Sequence, residues 1–254
     1  MMRFASLGSG SRGNATLIES GTTRVLLDCG FSVAETQRRL ARLGLEAEDV
    51  SAIIVTHEHG DHIGGVGPLA RRFKLPVYLT HGTAHRANTG ALPQQHCIDS
   101  HAVFSIEGLE CQPYPVPHDA QEPVQFVFSD GRHRLGVLTD TGSITAHITD
   151  MLAACDALLL ECNHDTEMLA EGPYPPSLKA RVGGRFGHLS NAQAADLLHA
   201  LDTSPLQHLV AMHLSDKNNT PWLARLALAE ALGADVDEVR LADQDEGLDW
   251  CELI

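Results

Sequence analysis

Six consecutive residues, His57-Glu-His59-Gly-Asp61-His62, follow directly on the apolar, β-branched run Ile53-Ile-Val-Thr56, and they constrain the chain more than any other stretch. A buried strand ending in three imidazoles and a carboxylate would lose hydration with no return unless those groups bind something. Residues 57 and 59 are two apart, so continued extension points both rings to one side, and a turn at Gly60 brings Asp61 and His62 around them. Imidazole and carboxylate together suit zinc, iron or manganese. A single ion cannot easily take all four donors from so short a loop, so two adjacent divalent ions are expected.

A pair of ions needs more ligands. His118 in Pro117-His-Asp119, Asp140 in Leu138-Thr-Asp-Thr141 and His213 in Met212-His-Leu-Ser215 each follow an apolar segment. Taken singly, each reads as a turn or surface residue. Beside the first motif, each becomes a candidate ligand.

The surrounding pattern is strand-rich at first. Short strands are expected over Phe4 to Leu7, Ala15 to Glu19 and Val25 to Asp28, with a Gly/Ser loop from Gly8 to Asn14. Ser32 to Glu35 has capping-box spacing before a helix reaching Leu43, and Ala52 to Thr56 reads as a buried strand. Pro68 to Phe73 looks helical and Val77 to Leu79 extended. Strands are expected through Leu109 to Val116, Val124 to Phe128 and Arg134 to Thr139, with a hairpin turn at Ser129-Asp-Gly131. Then come a helix over Ile144 to Ala153, a strand over Ala157 to Leu160, a helix opened by Ser190-Asn-Ala-Gln193, a strand over Leu209 to Met212 and a helix from Pro221. This alternation implies an α+β or α/β sandwich. With no repeat, low-complexity tract or composition break, residues 1–254 read as a single domain.

Composition narrows the function. The longest apolar run, Ala157 to Leu160, is far too short to cross a bilayer. The N-terminal residues lack the basic-then-apolar pattern of a secretory signal, so a cytoplasmic location is the default expectation. Six scattered cysteines without CxxC spacing read as reduced, mostly packing thiols. The net charge of −15 argues against a general polyanion binder, so any nucleic-acid contact must be local. The three arginines Arg38, Arg39 and Arg42 read as the wet side of an amphipathic helix, and the histidines outside the motifs as mostly exposed.

The order HxHxDH, then His, Asp and His, resembles the metallo-β-lactamase superfamily over nearly the whole chain. The resemblance implies an αββα four-layer sandwich with a dinuclear metal site at one edge. It implies that His57, His59 and His118 hold one ion, that Asp61, His62 and His213 hold the other, and that Asp140 bridges them. His59 stands where flavo-diiron members typically place Glu, and Asp140 stands where antibiotic-hydrolysing members usually have Cys or His. Both of those chemistries are therefore disfavoured. Only about seventy residues separate Asp140 from His213, too few for a β-CASP insert. Glu161-Cys-Asn-His-Asp165, Gly187-His-Leu-Ser-Asn191, Asn218-Asn219 and the opening Gly8-Ser-Gly-Ser-Arg-Gly-Asn14 look like the YycJ/WalJ-type, DNA exonuclease-like branch. That branch is similar in its motifs to tRNase Z and to the cyclic phosphodiesterase of phosphonate breakdown.

The implied chemistry is metal-dependent hydrolysis of a phosphodiester. A water shared by the two ions would be the nucleophile, with Asp61 orienting it as general base. By the same resemblance, His188 is the candidate general acid, held charged by Glu161. Ser9, Ser11 and Asn14 offer donors that could meet a phosphate, and Asn218 and Asn219 are grouped with them as candidate substrate contacts. Lys179, Arg181 and Arg185 could track a nucleic-acid backbone or simply mark a solvated face. DNA ends are the expected partner. The alternatives are a small, cyclic or linear phosphodiester, a thioester of the glyoxalase II kind, and a non-catalytic module stabilised by metal.

Overall fold

The computed structural model describes residues 1–254. Its fourteen strands are, in chain order, β1 Met2–Gly8, β2 Ala15–Ser20, β3 Thr23–Leu27, β4 Ala52–Ile54, β5 Pro76–Thr80, β6 Gln94–Ile98, β7 Phe104–Ile106, β8 Leu109–Pro115, β9 Val124–Ser129, β10 Arg134–Leu138, β11 Ala157–Glu161, β12 His208–Met212, β13 Val239–Leu241 and β14 Leu248–Leu253. They form two seven-stranded sheets, ordered β14-β1-β2-β3-β4-β5-β6 and β13-β12-β11-β10-β9-β8-β7. Each sheet begins antiparallel and turns parallel, from β3 to β6 in the first and from β10 to β13 in the second.

The two-residue period of a strand explains why these sheets stack. In β3, Val25 and Leu27 point into the core between the sheets, while Leu26 points outward beneath helices. In β11, Ala157 and Leu159 face the same central core, and Leu158 and Leu160 face the opposite helical layer. Helices Val33–Arg42 and Val66–Phe73 cover the first sheet, and Ala146–Leu152, Asn191–Ala200 and Pro221–Leu232 cover the second. The layer order is therefore the αββα expected. Burial on both faces is why the parallel strands read as unbroken apolar runs rather than as alternation. No helix is long and apolar enough to cross a membrane.

The expected elements are present with ends shifted by a residue or two, and Ser190 and Gln193 form a complete capping box. Ser32 caps its helix, but the return arm is missing because the Glu35 carboxylate turns to Arg38 and Arg39 instead. The reading of Arg39 as a solvated residue is corrected. Its side chain is buried, stacks 4.1 Å over Phe31 and donates to the carbonyls of Leu7 and Gln244. Helical periodicity marked the polar face correctly but could not reveal that the end of β1 lies against it. Among the histidines outside the proposed site, His133 and His164 are buried. Five of the six cysteines are buried, and none is disulfide-bonded.

The central core sets the stability of the layers that carry the site. Leu159→Ala removes a fully buried side chain from the middle of β11. It should lower unfolding free energy by about 2–5 kcal/mol in denaturant titration, and a loss under about 1 kcal/mol would mean the sheets do not pack as described.

Candidate metal centre

Six strands run out at the same edge of the sandwich, and a polar group stands at or just beyond the end of each: Asp28 after β3, His57 after β4, His118 after β8, Asp140 after β10, Glu161 at the end of β11 and His213 after β12. Asp28, Asp140 and His213 adopt left-handed backbone conformations, with φ of 62°, 51° and 53°. Such a conformation is uncommon for a residue with a side chain and is kept where surrounding contacts over-determine it. Here each stands at the point where the chain leaves a strand for its loop.

The seven residues expected to be ligands meet. Donor atoms of His57, His59 and His118 form one group, those of Asp61, His62 and His213 a second, and Asp140 joins His57 and His62 in a third. His59 Nδ1 and His118 Nε2 are 3.2 Å apart. Asp140 Oδ2 lies 3.2 Å from His62 Nε2 and 3.1 Å from His213 Nδ1, and Oδ1 lies 4.0 Å from His118 Nε2. His57 Nε2, His213 Nδ1 and Asp140 Oδ2 are buried without a hydrogen-bond partner. Buried polar atoms are nearly always paired. Donors that crowd together and leave buried atoms unpaired have the arrangement of ligands around cations, and the mixed nitrogen and oxygen set fits divalent transition metals.

Electrostatics agree. Burial, reinforced by the neighbouring His62, His118 and His59, drives the His57 pKa well below the usual imidazole range, which leaves a neutral ring with a free lone pair. Burial also lowers His118. For His62, burial opposes the charge, but the carboxylates of Asp140 and Asp28 more than offset it and raise the pKa well above the usual value. A cation at His62 Nε2 must displace that proton, so metal binding is proton-competitive and weakens as pH falls.

Asp28 is a functional residue that the sequence analysis passed over. Its Oδ2 lies 2.8 Å from His62 Nδ1 and accepts from Thr56 Oγ1 at 2.8 Å, while its Oδ1 accepts from the Thr56 backbone N–H. Thr56 Oγ1 is also 2.9 Å from His57 Nδ1. These bonds fix two rings so that their Nε2 atoms face the cluster, the usual support of a metal-binding histidine. The available signal was Asp28 at the end of an apolar strand, the same context as Asp140. Gly30 lies two residues after Asp28 in the same loop, and a Cβ there would sit 1.9 Å from the Asp61 carbonyl oxygen. Only glycine lets this loop pass against the ligand loop.

On the open side of the cluster, His188 Nδ1 lies 2.7 Å from Glu161 Oε1. Glu161 is fully buried, and its other oxygen accepts from the backbone of Thr141 and Leu189. Burial opposes charge on His188, but Glu161, by its charge and its hydrogen bond, followed by Asp140 and Asp61, outweighs it and pushes the pKa up to about 9. With Nδ1 engaged, Nε2 is the nitrogen left for the cavity. That cavity, about 370 Å³, is lined by Asp61, Asp140, His188 and His213 together with Ser11 and Arg181.

The candidate substrate contacts are corrected in part. Ser11 faces the cavity, but Ser9, Asn14, Asn218 and Asn219 are buried and bonded within the protein. Ser9 Oγ accepts from the His213 backbone N–H, and Asn14 Nδ2 lies 3.3 Å from both the carbonyl and the carboxylate of Asp61. Asn218 bonds Ser215, and Asn219 bonds Cys162 and Asn191. Ser9 and Asn14 thus brace the ligand loops, while Asn218 and Asn219 hold the neighbouring chain. Their residue types suit a phosphate equally well, so the distinction rests on burial, which appears only once the loops pack. Of the three basic residues before His188, Arg181 lines the cavity, whereas Lys179 bonds the carbonyl of Ala170.

Asp28→Ala should weaken metal affinity by roughly 10- to 100-fold through loss of ring orientation. Competition with a chromophoric chelator would measure this, and wild-type affinity in the variant would remove Asp28 from the metal centre. The same titration in wild-type protein should show affinity falling as pH drops from 8 to 6.

Comparison with known proteins matches this architecture. The family model described as "Beta-lactamase superfamily domain" matches residues 23–214. Exodeoxyribonuclease YycJ of Bacillus anthracis is 35% identical over 235 residues, which cover 91% of this chain and 89% of the relative. Exodeoxyribonuclease WalJ of Streptococcus pneumoniae is 30% identical over 254 residues, 98% of this chain and 92% of the relative. Among solved structures, the metallo-beta-lactamase fold protein YhfI from Bacillus subtilis aligns over 98% of both chains with a TM-score of 0.76. Its identity is 18%, so that likeness concerns the fold alone. The matched family, the whole-length relatives and the histidine/aspartate cluster at the sheet edge agree, and the chain belongs to the metallo-β-lactamase superfamily, in the branch of YycJ and WalJ.

Proposed function

We propose that this chain is a hydrolase of phosphodiester bonds that works with two divalent cations and acts on the ends of DNA. The observation that carries the reading is the imidazole of His188, 2.7 Å from the buried Glu161 carboxylate, on the open side of a cluster of seven candidate metal ligands. The names of the two whole-length relatives, both exodeoxyribonucleases, support DNA as the polymer.

His57, His59 and His118 would hold one cation, Asp61, His62 and His213 the other, and Asp140 would lie between them. When bound, such a pair supplies a water of lowered pKa and neutralises phosphate oxygens. Asp61 is a quarter exposed and lines the cavity, where it would orient the attacking water and accept its proton. His188 would donate the Nε2 proton to the departing oxygen while Nδ1–H stays bonded to Glu161. The proton can then be replaced from solvent, because His188 keeps partial exposure.

A second reading, hydrolysis of a small phosphodiester, is favoured by the net charge of −15 and by a cavity with a single guanidinium. Metal-loaded protein offered labelled DNA, bis-p-nitrophenyl phosphate and a thioester separates the readings. DNA shortened from an end supports the nuclease, turnover of the small diester alone supports the second reading, and thioester cleavage alone overturns both. No turnover of any leaves a binding module.

Two variants test the acid. His188→Ala should lower kcat by about 10²- to 10⁴-fold with metal content intact, and loss of metal from that variant would defeat the assignment. A general acid works only while protonated, so activity should fall as pH rises through the His188 pKa. Cations offset the contributions of Asp140 and Asp61, which places that limb below 9 in the loaded enzyme. Glu161→Gln should move it to still lower pH, and an unmoved limb in the pH–kcat/KM profile would remove Glu161 from the role.

A further inference from the structure

Helix Pro176–Val182 has no buried residue, yet it carries an apolar stripe. Tyr174, just before it, and Leu178 and Val182 within it are spaced four apart, which sets them along one side of the segment. All three line the cavity over the metal centre, whose remaining lining is largely histidine, aspartate and glycine. Arg181 stands beside them and supplies the cavity's one guanidinium or ammonium group. The segment is tied to the site at its end: the His188 N–H donates to the Val182 carbonyl at 2.8 Å, and the Asp119 N–H donates to the Phe186 carbonyl at 3.0 Å.

Arg181 is aimed by one bond. Its Nε donates to Asp119 Oδ2 at 2.6 Å, with the arginine side chain 62% exposed. Neither terminal nitrogen of the guanidinium has a hydrogen-bond partner in the protein. A guanidinium held at one edge keeps its terminal donors for a planar or tetrahedral anion. In a chain of net charge −15, an anion entering this cavity meets this guanidinium besides His188 and the metal centre.

We infer that this wall is a nucleotide subsite for the leaving portion of the substrate, in which Tyr174, Leu178 and Val182 take the nucleobase and the free nitrogens of Arg181 take a second phosphate. It lies on the leaving side because its last residue is bonded to the backbone of His188, the group assigned to protonate the departing oxygen. The inference rests on the phosphodiesterase reading and adds to it that the preferred substrate bears a phosphate on the far side of the departing nucleotide. Such a phosphate is present at each step along a polynucleotide and absent from a simple diester.

The test is binding of thymidine 3′,5′-bisphosphate to metal-loaded protein, compared by calorimetry with the two thymidine monophosphates. One phosphate can occupy the metal centre and the other Arg181. Wild-type protein should bind the bisphosphate about 10- to 100-fold more tightly than either monophosphate, the range of one charge-assisted contact. Arg181→Ala should lose that gain, and Arg181→Lys, which keeps the charge without the fork, should keep only part of it. A gain that persists in Arg181→Ala, or a bisphosphate that binds no better than the monophosphates in wild type, overturns the subsite. The phosphodiesterase reading fails differently, through absent turnover of every diester, and that outcome leaves the binding comparison free to decide this inference.

Discussion

The carboxylate of Asp140 sits in the interior of the sandwich edge between two groups of imidazoles, and the rest of the structure is arranged to make that tolerable. A buried charge of this kind requires compensation. His62 and His213 supply it directly, and their charges hold the Asp140 pKa well below its usual range despite burial. The His62 ring is fixed in turn by Asp28, and the His213 backbone is held by the Ser9 hydroxyl. Such an assembly is costly for a chain to keep unless a cation ends the crowding, which is why the unpaired atoms of His57, His213 and Asp140 bear on function more than any single distance does.

The sheets supply the rigidity this requires. Because parallel strands of both sheets end at one edge, residues from both halves of the chain are delivered to the same place by elements buried on both faces. Sites built on strand ends are held more tightly than sites on free loops. The left-handed conformations at Asp28, Asp140 and His213 are local costs carried by that scaffold. The helix Pro176–Val182 is the contrast. It has no buried residue and lies over the cavity, so it contributes to the site's wall more than to the fold's core.

The acidity of the chain and the proposed polyanionic substrate are compatible on this view. Repulsion between well-exposed charges is screened over about 8–10 Å in physiological salt. Within the cavity the balance is set by nearby groups, namely the cations the cluster would hold, Arg181 and a protonated His188. Attraction is therefore confined to the mouth of the site, which suits recognition of one or two phosphates at an end better than coating of a long duplex.

Several features were legible in the sequence alone. The candidate ligands, their order and their position at the ends of apolar segments could be read from residues 57–62, 118, 140 and 213, because local periodicity marks where a strand ends. Much of the strand and helix pattern followed from the same periodicities, but β6, β7, β13, β14 and helix Pro176–Val182 were not marked by them. The sequence left open which distant polar groups would be buried together. Asp28, Ser9, Asn14 and Arg39 are ordinary polar residues until packing sets them against His62, His213, Asp61 and the end of β1. The edge strands β6 and β14 are partly polar, and β14 finds its place only by pairing with β1 at the far end of the chain. Spacing governs contacts a few residues apart, whereas proximity between remote segments is a property of the topology. The tertiary structure therefore decided which polar residues brace the candidate metal centre and which face the cavity.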